Sequence, residues 1–482
     1  MAEVRVGIVR FEDRMYAWQA KVIDEVRAVP GVLVVAMLTC PHNKTTGYAP
    51  PRHSVSFKRA AAVIGSEMIC PLDTAAAQSL CLDIIINLTR SEIPADLPGG
   101  SWRLSFASRR APGRFEIRKG MPVSHIVLKD ERTDNCFGHV CFKTARNWRR
   151  NCDQITLGTT FLIARALRVL AVGLPGPHAH APPAAAEQPW PLRIISRISR
   201  AIEKRAHRSK WTIGFASTSI GELIKRQTLA DIVWLNGLPE DRFFADPFPL
   251  SRSENIVTIL AENGDSGPPY KGHISEISFN MSGQVKRLRD AIATPEHMSF
   301  PFLFKLGGKN YCLPECHESG NLQLFAGEAR GWRRDFILLE GLAAVDPVVH
   351  RHGGKWWLFC CDSAHDDITH LFLFYADKLT GPWTQHPLNP VKSDVRSSRP
   401  AGAIVEVDGV LYRPAQDCSR RYGGSLSMQR INRLSETDFA EDTAFKLDPK
   451  AFGGRYIGLH TLNSLGNIIV IDALERRSVF WR

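Results

Sequence analysis

The strongest constraint on this chain is a pattern repeated five times in its C-terminal half. ADPFPLSRSENIVTILAE begins at Ala245, SFPFLFKLGGKNYCLPE at Ser299 and VDPVVHRHGGKWWLFCCD at Val345; SRPAGAIVEVDGVLYRPAQD begins at Ser398 and GLHTLNSLGNIIVIDA at Gly458. Each copy reads as a strand, a Gly- or polar-marked turn and a second strand, and more strand-like sequence follows, such as ISEISFN and LFLFYADKLTGPW. Five units spaced about forty to sixty residues apart fit the period of propeller blades. A β-sandwich built from similar hairpins is the competing architecture. In a propeller the first strand of each blade lines the central channel, so polar residues near its start converge on one face. The expected fold is therefore a C-terminal all-β five-bladed propeller.

The N-terminal half has a different texture. VRVGIVRF (4–11), VLVVAML (32–38) and LDIIINL (82–88) are continuous apolar runs separated by helix-like spacing in YAWQAKVIDEVRA and LDTAAAQSLC. That alternation predicts an α/β domain with a parallel sheet, closed by a helix over ITLGTTFLIARALRVLAVG (155–173). No G-x-G-x-x-G follows the first strand, so the standard dinucleotide fingerprint is absent. Between the halves, GLPGPHAHAPPAAAEQPWP (173–191) is Pro- and Ala-rich, and a basic amphipathic stretch follows at 194–210. The expected division is an α/β domain over 1–172, a linker and basic helix over 173–209, and a propeller over 210–482.

Composition limits the classes open to the chain. Net charge is +12, with clusters at 146–151 and 193–210, which suits an anionic partner such as a phosphorylated substrate or a lipid surface. No nucleic-acid motif accompanies the charge, so nucleic acid is not an expected partner. The eleven cysteines are scattered and odd in number, as reduced thiols would be. No apolar run reads as long enough to span a bilayer and the N-terminus lacks a signal-peptide core, so the expected location is cytoplasmic, with peripheral membrane contact through the basic surface.

The chemistry-bearing residues lie in the repeats. Asp246 and Asp346 each open a unit in an Asp-Pro step, Arg399 and His460 take the entry position in the fourth and fifth units, and Glu262, Glu315, Asp362 and Asp417 end second strands. Converging carboxylates suit glycosyl chemistry, in which one carboxyl serves as acid and another as base or nucleophile, and mutual repulsion separates their pKa values. Asp246, Asp346 and Glu315 are the expected catalytic residues. Glu262, Arg399, Asp417, His460 and Trp357 are the expected substrate-binding residues. Phe243, Phe244, Phe300, Phe302, Trp356 and Tyr412 are further candidate stacking faces for sugar rings. For any single acid, a turn cap is the competing explanation. Cys312, Cys316 and His317 have a loosely metal-like spacing, as do His178 and His180 in the linker, but neither set makes a zinc motif, and no metal is expected from them.

FFADPFPL, LAENGDSGPPYKGHI, VDPVVHRHGGKWWLF, ADKLTGPWTQHPLNPV and RPAGAIVEVDGVLYRPAQDCSRRYG together resemble the propeller domain of the glucosamine inositolphosphorylceramide transferase family over about residues 210–482. That domain is similar to the five-bladed propellers of family-43 glycoside hydrolases. The resemblance implies that Asp246 stands where the hydrolase base does and Asp346 where the orienting Asp does. The hydrolase acid is missing from the fourth entry, where Arg399-Pro400 stands, and Glu315 or Glu262 would have to substitute for it. LDIIINLTRSEIPADLPGGSWRLSFASRRAPGRFEIRKGMPVSHIVL resembles the core of a formyltransferase domain, with Arg103-Leu104-Ser105 in place of the catalytic Asn and His. The expected function is a glycosyltransferase moving a sugar from an activated donor to a glycan or glycolipid acceptor. The alternatives are a family-43-type glycosidase and a non-catalytic glycan-binding protein. No cofactor is expected; a sugar nucleotide would be the donor substrate.

Overall fold

The computed structural model describes residues 3–11, 15–40, 68–72, 74–89, 100–106, 114–173, 207–265, 271–329 and 331–478. The chain divides into two compact units, Met1–Arg193 and Ile194–Arg482. The linker and basic-helix expectations fall almost wholly on 174–206, outside the described residues, as do His178 and His180.

Among the described residues the first unit holds seven strands: β1 (Val4–Phe11), β2 (Val32–Cys40), β3 (Met68–Pro71), β4 (Ile84–Asn87), β5 (Gly100–Phe106), β6 (Val123–Asp130) and β7 (Cys136–Lys143). They form one sheet in the order β3-β2-β1-β4-β5-β6-β7. The first five run parallel, but β6 is antiparallel to both β5 and β7, so the expected parallel sheet is in fact mixed. The short turn between β6 and β7, with Asp134 at φ +56°, makes that pair antiparallel, since a parallel pair would need a long crossover. The closing helix starts earlier than expected, at Trp148, and runs to Val172. Asn147 caps it by accepting from the Arg149 N–H, and Gly173 ends it in the left-handed conformation at φ +71°. By length and composition this helix could cross a membrane, which corrects the expectation that no run is long enough. Its apolar face instead forms the core of the unit, where Ile155, Leu162, Ile163 and Leu167 meet Ile126, Val140 and Phe142.

The second unit is a five-bladed propeller. Blade 1 spans Arg242–Ile292, blade 2 Ser299–Glu340, blade 3 Ala344–Ser393 and blade 4 Val405–Leu447, each a meander of consecutive antiparallel strands. Blade 5 is a composite that the repeat count alone does not show. Its strands Tyr456–Gly458, Leu462–Leu465 and Ile468–Ser478 are completed by His207–Ala216, which pairs along the whole of Ile469–Ser478. A strand from the start of the unit thus closes the ring onto its last strand. Cores between blades hold the ring together. Ile213, Phe215 and Val470 pack on Phe244, Ile259 and Phe279 between blades 5 and 1, while Phe248, Phe300, Phe302, Phe304 and Trp356 form an aromatic chain from blade 1 to blade 3.

The hairpin turns follow from sequence. Gly307-Gly308 and Gly353-Gly354 have φ values of +56° and +81°, and +59° and +81°, the two successive left-handed residues that a tight two-residue turn between twisted strands requires.

Candidate active site at the propeller axis

The entry motif is a β-bulge. In blade 1 Ala245 pairs with Glu262 and Phe248 with Leu260, so three steps on the first strand match two on the second. The same offset separates Ser299/Phe302 from Glu315/Leu313 and Val345/Val348 from Cys361/Phe359. The second residue of each bulge, Asp246, Phe300 or Asp346, sits at φ +51°, +44° or +49°. Aspartate tolerates this region better than most side chains. The proline that follows each one lacks the N–H that the bulge would leave without a ladder partner. Asp246-Pro247 and Asp346-Pro347 therefore mark strands that are re-aimed at the axis, whereas Asp448-Pro449 caps a short 3-10 helix.

The freed N–H groups define the site. Asp246 donates its N–H to Asp472 Oδ2 at 2.9 Å, Phe300 to Asp246 Oδ2 at 3.1 Å and Asp346 to Glu315 Oε2 at 2.9 Å. Carboxylates on blades 5, 1 and 2 thus hold the bulges of blades 1, 2 and 3. Asp346 in turn accepts from blade 4, from Arg399 Nε at 2.6 Å and Gln416 Nε2 at 2.7 Å. Asp472 also accepts from the N–H groups of His460 and Thr461, both at 3.0 Å, and Thr461 Oγ1 donates to Asp246 Oδ1 at 2.6 Å. Polar side chains stitch the blades together around the axis, and all of these acids are buried.

Burial alone would raise each carboxyl pKa, and neighbours decide the outcome. Glu262 lies well above the usual range because it is buried and faces Asp246, Glu315, Asp346 and Asp472. Asp346 is also well above its ordinary value, through burial, although Arg399 opposes the shift. Asp246 is raised by burial against the pull of His460. Glu315 goes the other way: burial is outweighed by His317, whose Nδ1 lies 2.9 Å from Oε1, by Arg399 and by the Asp346 N–H, and its pKa falls to about 2. His460 Nδ1 is 2.5 Å from Asp472 Oδ2 and Nε2 is 3.6 Å from Asp246 Oδ1; these charges overcome burial and lift His460 to about 9. Its ring is stacked on Trp211 with centroids 3.9 Å apart, and the Tyr422 ring meets it edge-on.

His460 therefore makes stability pH-dependent. Its folded pKa of about 9 lies above the ordinary 6.5, so its contribution is complete below about pH 6.5 and lost as pH rises through about 9. The shift corresponds to about 3 kcal/mol. The melting temperature is expected to fall across that window, and His460→Gln to flatten the decline. Parallel melting curves for the two proteins from pH 6 to pH 10 would contradict this assignment.

The structure gathers Asp246, Asp346, Glu315, Glu262, Arg399 and His460 at the axis. It does not bring Asp417, Asp362 or Trp357 there. Asp417 pairs with Lys446 at 2.8 Å and accepts from Ser419; its neighbour Gln416 reaches the axis instead. Asp362 accepts from the Ala364 N–H and pairs with His365, while Cys361 holds the position opposite the bulge. Trp357 is buried near the hairpin end of its strand and donates its indole N–H to the His352 carbonyl. Phe244, Phe300, Phe302 and Trp356 are core side chains, so the expected stacking faces are mostly internal. Cys312 and Cys316 belong to an apolar core, which separates them from any metal role with His317. Missed from the sequence were Asp472, Gln416, Tyr422, Trp211 and His297. Asp472 had a signal, a single acid inside the apolar run IIVIDAL. Asp246, His460 and Asp472 place ligand atoms within 4.8 Å of one another, a spacing that could hold a cation. The hydrogen bonds to Asp246 and Asp472, together with the His460 charge, already balance that trio.

Fold and site together define a five-bladed β-propeller with a carboxylate-lined axis. Residues 231–454 match the family described as "Glucosamine inositolphosphorylceramide transferase 1, N-terminal". The propeller is therefore similar to the N-terminal domain of that family over those residues, a little under half of the chain. Glucosamine inositolphosphorylceramide transferase 1 of Oryza sativa subsp. japonica is 28% identical over 218 residues, covering 42% of this chain and 28% of the relative. The Arabidopsis thaliana protein of the same name is 29% identical over 227 residues, covering 45% and 29%. The chain thus spans less than a third of the length of these curated relatives. Among solved structures, Zg3597, a family 117 glycoside hydrolase of Zobellia galactanivorans, is 14% identical with a TM-score of 0.36, covering 57% of this chain and 92% of that one. The exo-beta-1,3-galactanase 1,3Gal43A of Clostridium thermocellum has the same identity and TM-score, covering 43% and 50%. Nothing about activity passes to this chain from likenesses at that level.

Proposed function

We propose that this protein is a glycosyltransferase-type, carbohydrate-active enzyme that moves a sugar from an activated donor to a glycolipid acceptor, with its chemistry at the propeller axis. The observation that carries the reading is the split in proton affinity among converging carboxyls, with Glu262 held protonated and Glu315 ionised. Paired carboxyls pushed apart in this way are how one site supplies both an acid and a base near neutrality. Asp246 and Asp346 shape and charge the site, and Arg399 holds Asp346. The names of the curated relatives point to glucosamine as the sugar and inositolphosphorylceramide as the acceptor, and the excess of basic residues suits a phosphorylated substrate and contact with a lipid surface. The formyltransferase likeness of the first unit rests on sequence order; a role there in holding the nucleotide of the donor fits its α/β sheet.

A family-43-type hydrolase is not favoured, because Arg399 stands at the fourth entry and is engaged with Asp346. Non-catalytic glycolipid binding is the second reading, favoured by the hydrogen bonds that fill most of the axial carboxylates. Incubation of the full chain with UDP-glucosamine and inositolphosphorylceramide is expected to yield a glycosylated lipid, with turnover falling by about 10²-fold or more in Asp246→Asn. Saturable lipid binding without product would establish the second reading. Neither product nor binding would overturn both.

A further inference from the structure

Four of the five buried axial carboxylates are occupied. Asp472 holds three backbone N–H groups, Asp246 holds Phe300 and Thr461, Glu315 holds Asp346 and His317, and Asp346 holds Arg399 and Gln416. Glu262 differs. It is 7% exposed, and among the described residues no hydrogen bond reaches its carboxyl. His297 stands beside it, with Nε2 3.6 Å from Oε1. His297 Nδ1 accepts the Gly272 N–H at 2.9 Å, so that nitrogen carries the lone pair and the ring proton sits on Nε2, on the side of Glu262. Gly272 makes the room: a Cβ there would come within 2.5 Å of Glu262 Oε1 and 2.8 Å of the Met298 carbonyl.

From this geometry we propose that Glu262 is the proton donor of the axial site, acting on the leaving oxygen of a glycosyl donor, with His297 as the positioning residue that turns Oε1 into the acceptor and leaves the proton on Oε2. This rests on the transferase reading above. In the transfer, the bond from the anomeric carbon to the leaving oxygen breaks and its electron pair stays on that oxygen, which takes the Glu262 proton. The acceptor hydroxyl oxygen forms the new bond, and the proton it releases returns through water to Glu262. Four acidic side chains facing Glu262 favour the neutral acid. Asp246 and Asp472 approach from blades 1 and 5 and Glu315 and Asp346 from blades 2 and 3, while burial keeps His297 below its ordinary pKa and so uncharged. A carboxyl that cannot ionise cheaply, and that no amide holds, is free to offer its hydrogen to a ligand.

The test pairs infrared spectroscopy with kinetics on the full-length chain. The difference spectrum of wild type minus Glu262→Gln, at neutral pH, is expected to show a protonated carboxyl band that shifts when UDP-glucosamine is added. Glu262→Gln should keep the wild-type melting temperature and KM and lose about 10²–10⁴-fold in kcat, the usual worth of a general acid. His297→Ala should move the alkaline limb of the kcat–pH profile with little change in KM. Absence of the band, or a Glu262→Gln variant with wild-type turnover, would overturn the proposal. A wild-type band that shifts with donor in a protein that transfers no sugar would instead sink the transferase reading and leave Glu262 as a neutral hydrogen-bond donor to a bound ligand.

Discussion

Asp472→Ala is expected to cost the propeller about 5 kcal/mol, because three buried N–H groups lose their shared acceptor. Asp246, His460 and Thr461 supply those groups, at 2.9, 3.0 and 3.0 Å. Each unsatisfied donor costs about 1–3 kcal/mol, and the His460 cation loses its nearest counter-charge as well. A loss of this size is a large share of the 5–15 kcal/mol that typically separates folded from unfolded states. Asp472→Asn keeps one carbonyl oxygen and should lose about half as much. Urea unfolding of both variants measures this directly. A change below about 1.5 kcal/mol for the alanine variant would mean that the N–H groups find other partners and that Asp472 is not the clasp between blades 5 and 1.

Arg399→Ala should be nearly as damaging, at about 3–5 kcal/mol, since it takes the guanidinium hydrogen bonds from buried Asp346 and from the Asp367 carbonyl at once. Arg399 reaches Asp346 through Nε and Nη2, the Asp367 carbonyl through Nη1 and the Tyr422 hydroxyl through Nη2. Lysine cannot reproduce that fork, so Arg399→Lys should recover little of the loss. The double variant Arg399→Ala/Asp346→Asn should be less destabilised than the sum of its parts, by more than about 1 kcal/mol. Strict additivity in the cycle would show that the pair is not coupled.

The propeller was legible because its signals are local. Gly-Gly between alternating apolar residues specifies a hairpin, and the repeat of such hairpins specifies a radial fold. Asp246 and Asp346 could be picked out as a pair because the same Asp-Pro step recurs, although the step reads as a turn and the structure makes it a bulge. A second bulge, between Pro249 and Ser251 in blade 1 and missing from blade 3, offsets otherwise similar motifs by one residue. Counting acids at strand ends singled out Asp362 and Asp417, one residue beyond Cys361 and Gln416, and a shift of one residue puts a side chain on the opposite face. Trp357 was a similar ambiguity, since Trp356 and Trp357 are adjacent and alternation cannot say which faces where. In the first unit β6 carries no sequence mark of its direction. Pairing between Ile469–Ser478 and His207–Ala216 was illegible for another reason: nothing local in KWTIGFA names a partner some two hundred and fifty residues away.

That last pairing governs the order of events during synthesis. The strand His207–Ala216 leaves the ribosome first, with Val233–Trp234 as a strand neighbour, while the strand it must join is made some two hundred and fifty residues later. Closing so long a loop carries a substantial entropic cost, so the ring is expected to close last, after its other blades have formed. Until then the chain presents an uncapped apolar edge, and a nascent protein stalled before Ile468 is the form most exposed to chaperones and proteases.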